Sequence, residues 1–600
     1  MQSTTQSTYQ QQLTDINTVI NSLKKTINTY SLLRLVLFFI GVAGLFYTMS
    51  YSAELSIGLG IIVITLFLYL VGKHTKLLSL LNHQRHCATL LQNEIDIINV
   101  KQNIYCDGSQ FSNGRHAYTS DLDIFGQKSL FAYLNRAHTN TGKHFIANWL
   151  QQSDTETIIA DRANALVELN ERQNQNLNFR ASLFSLKPDV LITLKNKLEN
   201  QLPNSLNFIN TKIINFIIIF LPLLTFAILA IAIAFNGIFW SIFSLQLVIN
   251  FVVYNLYIKP INTAHNIVSK TNSALKTVSS LIKNIEEIEW QTPYIKQIVA
   301  ELKNPNGNKT HTQIQQLSKI STNLDYRNNI LVGIVLNLFF CWDLRIIKKL
   351  YHWEANCTNT VIQSFDVIAH FEALISLATL NCNHPNWVRP IISPVFCFDA
   401  QNMAHPLISE SKSVSNHFNF AQNPSTDIIT GSNMAGKSTF LRTLGINMVL
   451  AFTGANVCAS YFKTSVFMLV SYMRIIDSLD AETSTFKAEI NRLKMILELS
   501  QSHPNTLVLI DEMLRGTNSK DKYEGSKALV EKLVSQQTPT LFATHDLQIA
   551  QLQQQYPTQI RNFNFDVKID GDKMFFDYKI KQGECKTFNA AVLLKAIGLE

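Results

Sequence analysis

Charge is scarce in this 600-residue chain. Asp, Glu, Lys and Arg make up 16%, well below the quarter usual in soluble domains, while 47% is hydrophobic. With a mean hydropathy of +0.08, the balance points to a chain partly in a membrane. The length exceeds what one core fills and calls for several domains. No long Lys/Arg block occurs, so the net charge of +8 permits contact with nucleic acid or anionic lipid without requiring either. The eight cysteines include no CxxC pair, which argues against a disulfide or zinc framework and reads as reduced cytosolic thiols. "HQRHC" at His83 to Cys87 has metal-capable groups, yet no second ligand cluster follows it. The polar, Gln-, Thr- and Ser-rich start, with weak helical spacing, has no cleavage-like end, so a secretory leader is not expected.

Where charge is missing altogether, the runs are long. None occurs between Arg34 and Glu54, between Glu54 and Lys73, or between Lys212 and Lys259. Each of the first two runs matches one helical span of hydrocarbon, and the third holds two spans with "FNG" at Phe235 to Gly237 as the turn. The reading is four transmembrane helices in two hairpins; the alternative is buried core helices. Lys24, Lys25, Arg34, Lys73 and Lys76 flank the first hairpin, Lys212 and Lys259 bracket the second, and neither turn has a Lys or Arg. By the positive-inside rule both turns face away from the cytosol, giving a multi-pass protein of the cytoplasmic (inner) membrane with everything else in the cytosol. A fifth run, "NILVGIVLNLFFCW" from Asn329, is too short to span and reads as a core helix.

The expected organisation is a polar segment over 1–30, a first hairpin over 31–73, and a cytosolic helix and loop over 74–120. A helical core over 121–211 and 260–400 is interrupted by the second hairpin over 212–259, and "NTGK" at Asn140 reads as a turn. From about Arg389 the texture changes. "TDIIT", "TLVLIDE" and "TLFATHD" are buried-strand candidates, each followed by loop and helix, the signature of a parallel α/β domain over 401–600. "FNFDVKIDGDKMFFDYKI" alternates around Asp570-Gly571, a hairpin signal.

One stretch carries chemistry. "TDIIT" feeds "GSNMAGKST", which opens a helix: GxxxxGK[ST] in its strand–loop–helix context. Gly431 and Gly436 let the backbone approach phosphate oxygens closely, so Gly431, Ser432, Asn433, Met434, Ala435, Gly436, Lys437, Ser438 and Thr439 form a candidate ATP site. Lys437 is expected to reach the β/γ-phosphates and Ser438 to help hold Mg²⁺. At the tip of "LVLIDE", Asp511 fits the acid on the metal side and Glu512 the base that polarises the attacking water. "ATHD" places His545 where it could sense the γ-phosphate; on its own such a histidine is more often structural.

Together, "TGSNMAGKSTFLRTLGINMVLAFTGANVCA", "TSTFKAEI", "LVLIDEMLRGTNSKD" and "LFATHD" resemble the MutS family of ABC-type ATPases, the mismatch-repair clamps. "HPLI" at His405 and "VSN" at Val414 look like that family's entry into its ATPase domain, and "DLDIFGQKSLFAYLNRAHTNTGKHFIANWL" like the start of its helical core. The resemblance implies an α/β P-loop ATPase domain of the ABC type at the C-terminus. Before it stands an all-α MutS-like core, here carrying the two transmembrane hairpins. It further implies a homodimer with composite sites. Ser484 or Thr485 of "TSTF" would act on the partner's nucleotide, Glu489 would brace that segment, and Arg515 to Asp521 would run along the seam. Such sharing makes ATP binding and subunit closure one equilibrium.

The departures are as informative. The N-terminus is spent on a hairpin where the family has its mismatch reader, and the second hairpin sits where its lever helices and clamp would be inserted. The C-terminal helix-turn-helix extension is missing after "AVLLKAIGLE". The leading reading is a membrane-anchored, dimeric ATPase acting on DNA or a membrane-adjacent partner. Mismatched-DNA binding is a second reading, and DNA stays open as a partner because phosphate binding needs only surface Lys/Arg. An ABC-transporter-like ATPase is a third, opposed by the absence of "LSGGQ" and of intramembrane charge.

Overall fold

The computed structural model describes residues 2–99, 103–269, 271–303, 307–421, 423–432, 434–473, 485–514, 518–570 and 573–585. Two compact units divide the chain: 1–136 with 144–174 and 373–600 form the first, and 137–143 with 175–372 the second.

The first unit opens with α1 (Gln2–Met49) and α2 (Ala53–Ile98), an antiparallel pair joined at Ser52, which caps α2 by accepting from the Leu55 N–H at 3.2 Å. The polar first thirty residues, whose helical spacing is weak, are helical from Gln2 onward. Ile20 and Ile27 are spaced to pack on Leu81, with Ile16, Leu23, Leu77 and Ala88 around them, and this tertiary contact supplies what local pattern lacks. The helix expected after the first hairpin is the continuation of α2. Higher up, the pair closes on small residues: a Cβ on Gly41 would lie 2.6 Å from Val63 Cγ1. At its far end α2 is pinned by a buried ion pair, Glu94 Oε2 to Arg136 Nη2 at 2.8 Å, with Asn383 Nδ2 donating to the same oxygen at 2.9 Å.

The second unit contains α3 (Lys212–Phe235) and α4 (Ile238–Val268), joined through Asn236 and Gly237, both at positive φ. Further along come α5 (Ile330–Phe340) and then α6 (Trp342–Asn383), whose residues from Ala373 onward belong to the first unit. "NTGK" opens a helix, Asn140–Gln151, instead of forming a turn; its residues from His144 onward belong to the first unit. The buried Glu372 carboxylate accepts from the His138 N–H at 2.7 Å and from the Thr139 N–H at 3.2 Å, holding the residues just before that helix.

Among the described residues, five helices are long and apolar enough to cross a membrane. Only 6% of the most apolar stretch is buried in α1 and in α2, 22% in α3 and 17% in α4, against 78% in α6. The fifth run is not a core helix: Ile330, Leu331 and Val335 on α5 are 74%, 78% and 53% exposed, and within the helix only Gly333 and Asn337 are buried. An apolar run cannot itself say whether it faces a core or another apolar medium.

The C-terminal part of the first unit is α/β. β1 (Ile391–Ile392), β2 (Phe398–Met403), β3 (Asn416–Asn419) and β5 (Tyr461–Thr464) form a mixed sheet in the order β1-β5-β2-β3. β4 (Thr426–Gly431), β6 (Met468–Tyr472), β7 (Thr506–Asp511), β8 (Thr540–Thr544), β9 (Ile560–Asp570) and β10 (Lys573–Gln582) form the larger one, in the order β10-β9-β4-β8-β7-β6. Neighbours from β9 to β6 pair in parallel, and β10 returns antiparallel on β9 around Asp570 as the Asp-Gly signal predicts. β4, β7 and β8 are buried along their whole length, β7 as an apolar run and β4 with a buried Asp427 that pairs with Arg561 of β9 at 2.6 Å. Ile428, Val508, Ile510 and Phe542 from these strands meet Leu529 and Val530 of α9 (Ser519–Ser535); α7 (Lys437–Thr453) and α8 (Thr485–Ser502) are the other long helices of this part.

Candidate functional site

Three neighbouring strands end together. Thr430 on β4 pairs with Thr544 on β8, and Ala543 on β8 pairs with Asp511 on β7. Residues just past these positions therefore share the carboxyl edge of the sheet: the 431–436 loop after β4, Glu512 after β7 and His545 after β8. This is the edge at which parallel α/β sheets receive ligands.

The loop's shape is set by its two glycines. Gly431 has φ 143°, and a Cβ there would stand 2.8 Å from the Phe565 carbonyl oxygen on β9. Gly436 has φ 103° and caps α7; a Cβ there would come within 3.1 Å of the Tyr578 ring. No L side chain fits either position without strain. Between them the Ala435 N–H donates to the Ser432 carbonyl at 3.1 Å, and the Ser432 hydroxyl is buried without a hydrogen-bond partner. Lys437 is buried and folds back on the loop, its Nζ donating to the carbonyls of Gly431 at 2.6 Å and Ser432 at 2.9 Å. Met434 is exposed, and Ser438 and Thr439 begin the first turn of α7, where main-chain N–H groups lack intrahelical partners. Asn433 lies outside the described residues.

Asp511 is buried at the end of β7. Glu512 follows with φ 52°, an unusual backbone state for a non-glycine residue, fixed by its N–H donating to the Ala543 carbonyl at 3.0 Å. His545 Nδ1 donates to Glu512 Oε1 at 2.9 Å. The histidine and the glutamate are thus brought into direct contact at the rim. Ser484 lies outside the described residues, as do 515–517; Thr485 starts α8, and its side chain is outside them too. Glu489 on α8 is buried with Oε2 unpartnered.

Other neighbours of the loop escape sequence reasoning. Tyr578 lies beside Gly436, its carbonyl accepting from Asn416 Nδ2 at 3.0 Å, and Phe565 lies against Gly431. No local signal marks them; only the pairing of β9 with β4 brings them near. His405 lies near Arg442 of α7. Burial, with the Arg442 guanidinium second, lowers its pKa from 6.5 to about 4. His384 is lowered to about 4 in the same way, by burial first and Arg136 second.

Residues 427–596 match the protein family described as MutS domain V. The chain is 32% identical over 246 residues to the DNA mismatch repair protein MutS of Persephonella marina, covering 40% of this chain and 28% of that protein. It is 30% identical over 263 residues to the DNA mismatch repair protein MutS of Clostridioides difficile, covering 41% and 27%. Similarity to MutS protein homolog 4 of Mus musculus is 30% over 229 residues, covering 36% and 23%. The chain spans less than a third of the length of the curated relatives it matches. What the chain shares with the MutS family model is this C-terminal domain, residues 427–596.

Proposed function

We propose that this chain is a membrane-anchored ATPase of the MutS family that works as a dimer, its P-loop being residues 431–439. The observation that carries the reading is the gathering of Lys437, Asp511, Glu512 and His545 at the carboxyl ends of three adjacent parallel strands.

The donor set suits a nucleoside triphosphate with magnesium. Gly431 and Gly436 keep side chains away from the loop, the Ser432 hydroxyl is a buried donor lacking a partner, and the first turn of α7 adds main-chain donors. Lys437 exchanges the carbonyls of Gly431 and Ser432 for phosphate oxygens. Ser438 and Asp511 are the residues that would hold Mg²⁺, which when bound would neutralise phosphate charge. Glu512, steadied by His545, orients the attacking water and takes its proton. Ser484 or Thr485 completes the partner's site, with Glu489 supporting that segment. α1 to α4 are the anchor, placing the chain in the inner membrane with the α/β domain in the cytosol.

Two measurements test this. Lys437→Ala protein that hydrolyses ATP at the parental rate overturns the site assignment. A chain that stays monomeric under saturating Mg-ATP overturns the shared site. A second reading, binding of mismatched DNA, draws on the relatives' names. DNA-stimulated hydrolysis that falls steeply with salt is its signature.

A further inference from the structure

The exposed helix α5 has no evident purpose in water. It carries no charge from Ile330 to Phe340, and its outward residues Ile330, Leu331 and Val335 are among the most exposed apolar side chains of the chain. At 11 residues it is about 16 Å long, roughly half a hydrocarbon core.

Its inner face is fitted to the α3–α4 hairpin. Phe339 lies 6.0 Å from Phe226 and 6.3 Å from Phe243, and Phe340 5.5 Å from Phe226, ring centre to ring centre. A buried polar seam joins the three helices. Gln246 Nε2 donates to Asn250 Oδ1 at 2.9 Å, and Asn250 Nδ2 donates to the Thr225 hydroxyl at 2.8 Å and the Leu338 carbonyl at 2.7 Å. Asn250 is about 13 Å along α4 from Lys259, so the seam lies deep within the apolar stretch. Pro222 has no N–H to offer the Ile218 carbonyl one turn back, and Arg345 Nη2 takes that oxygen at 3.1 Å. Polar groups paired inward beneath an apolar outer face suit a medium without water.

The segments flanking α5 meet beside it. The rings of Tyr326 and Trp342 are 6.3 Å apart, Arg327 Nε and Asp343 Oδ2 are 3.3 Å apart, and the Asp343 N–H donates to Asn337 Oδ1 at 3.0 Å. An aromatic pair beside an ion pair is typical of a membrane–water boundary.

We propose that α5 is embedded in lipid acyl chains beside α3 and α4, entering and leaving the bilayer on the same side without crossing it. The proposal rests on reading α3 and α4 as a spanning hairpin. The full chain carrying p-benzoylphenylalanine at position 331, 335, 223 or 494 is reconstituted in phosphatidylcholine vesicles, irradiated, and examined for lipid adducts by mass spectrometry. Leu223 samples the hairpin and Lys494 the exposed face of the α/β domain. Adducts at 331 and 335 at yields matching 223, with none at 494, support the proposal. Adducts at 223 alone overturn it and leave the spanning hairpin standing; adducts at none of these positions remove the hairpin reading and this inference together.

Discussion

The large sheet and the apolar hairpins dispose their polar groups in opposite ways. In the sheet, β4, β7 and β8 are apolar inside, and the groups with chemistry (Lys437, Asp511, Glu512 and His545) collect at one rim. In the α3–α4 hairpin the outside is apolar, and Thr225, Gln246 and Asn250 are folded inward against one another. Both obey one rule, that a polar group away from water finds a partner. What differs is who the partner is: at the rim a ligand to come, in the hairpin a neighbouring helix. Substitutions at the rim should therefore cost activity, and substitutions in the seam should cost stability.

The largest effect that comparison predicts is at the loop. Lys437→Ala should reduce ATP hydrolysis and Mg-ATP binding to background while the chain still sediments with membranes after alkaline washing; loss of membrane association as well would break the separation. Glu512→Gln comes next, with a fall in turnover on the order of 100-fold or more and nucleotide binding retained, read by single-turnover hydrolysis beside equilibrium binding.

Acid should act on the sheet unit before the hairpins. His384 and His405 are neutral when folded, their pKa values lowered from 6.5 to about 4. Their contribution is whole above about pH 6.5 and is lost as pH falls toward 4, by up to about 3 kcal/mol for each. Near-ultraviolet dichroism and nucleotide binding should decline over that window while helicity in detergent persists. Smallest is Asn250→Leu, which strips Thr225 and the Leu338 carbonyl of their donor. It should lower detergent-phase stability by about 1 kcal/mol and leave hydrolysis unchanged; a large loss of turnover would join the two regions that the comparison keeps apart.

The strands at the rim are readable because each has a short apolar centre bounded by turn chemistry, and the glycine spacing fixes where β4 must end. The hairpins are readable from missing charge. Less is visible where partners are distant in sequence. Ile20 and Ile27 look weak until Leu81 is beside them, and Asn140 looks like a turn until Glu372 secures the chain before it. Tyr578 reaches Gly436 only through the pairing of β9 with β4, and α5 has a composition equally suited to a core or to lipid.

α2 runs unbroken from its apolar stretch to the Glu94–Arg136 pair. Under the proposed anchoring, two copies would search for each other in a plane, each tethered through this one continuous helix. Part of the orientational trial and error that slows ordinary association would then be settled before they meet, and tethering would raise the concentration at which they do. A stalk of that kind would aim the molecule as well as hold it.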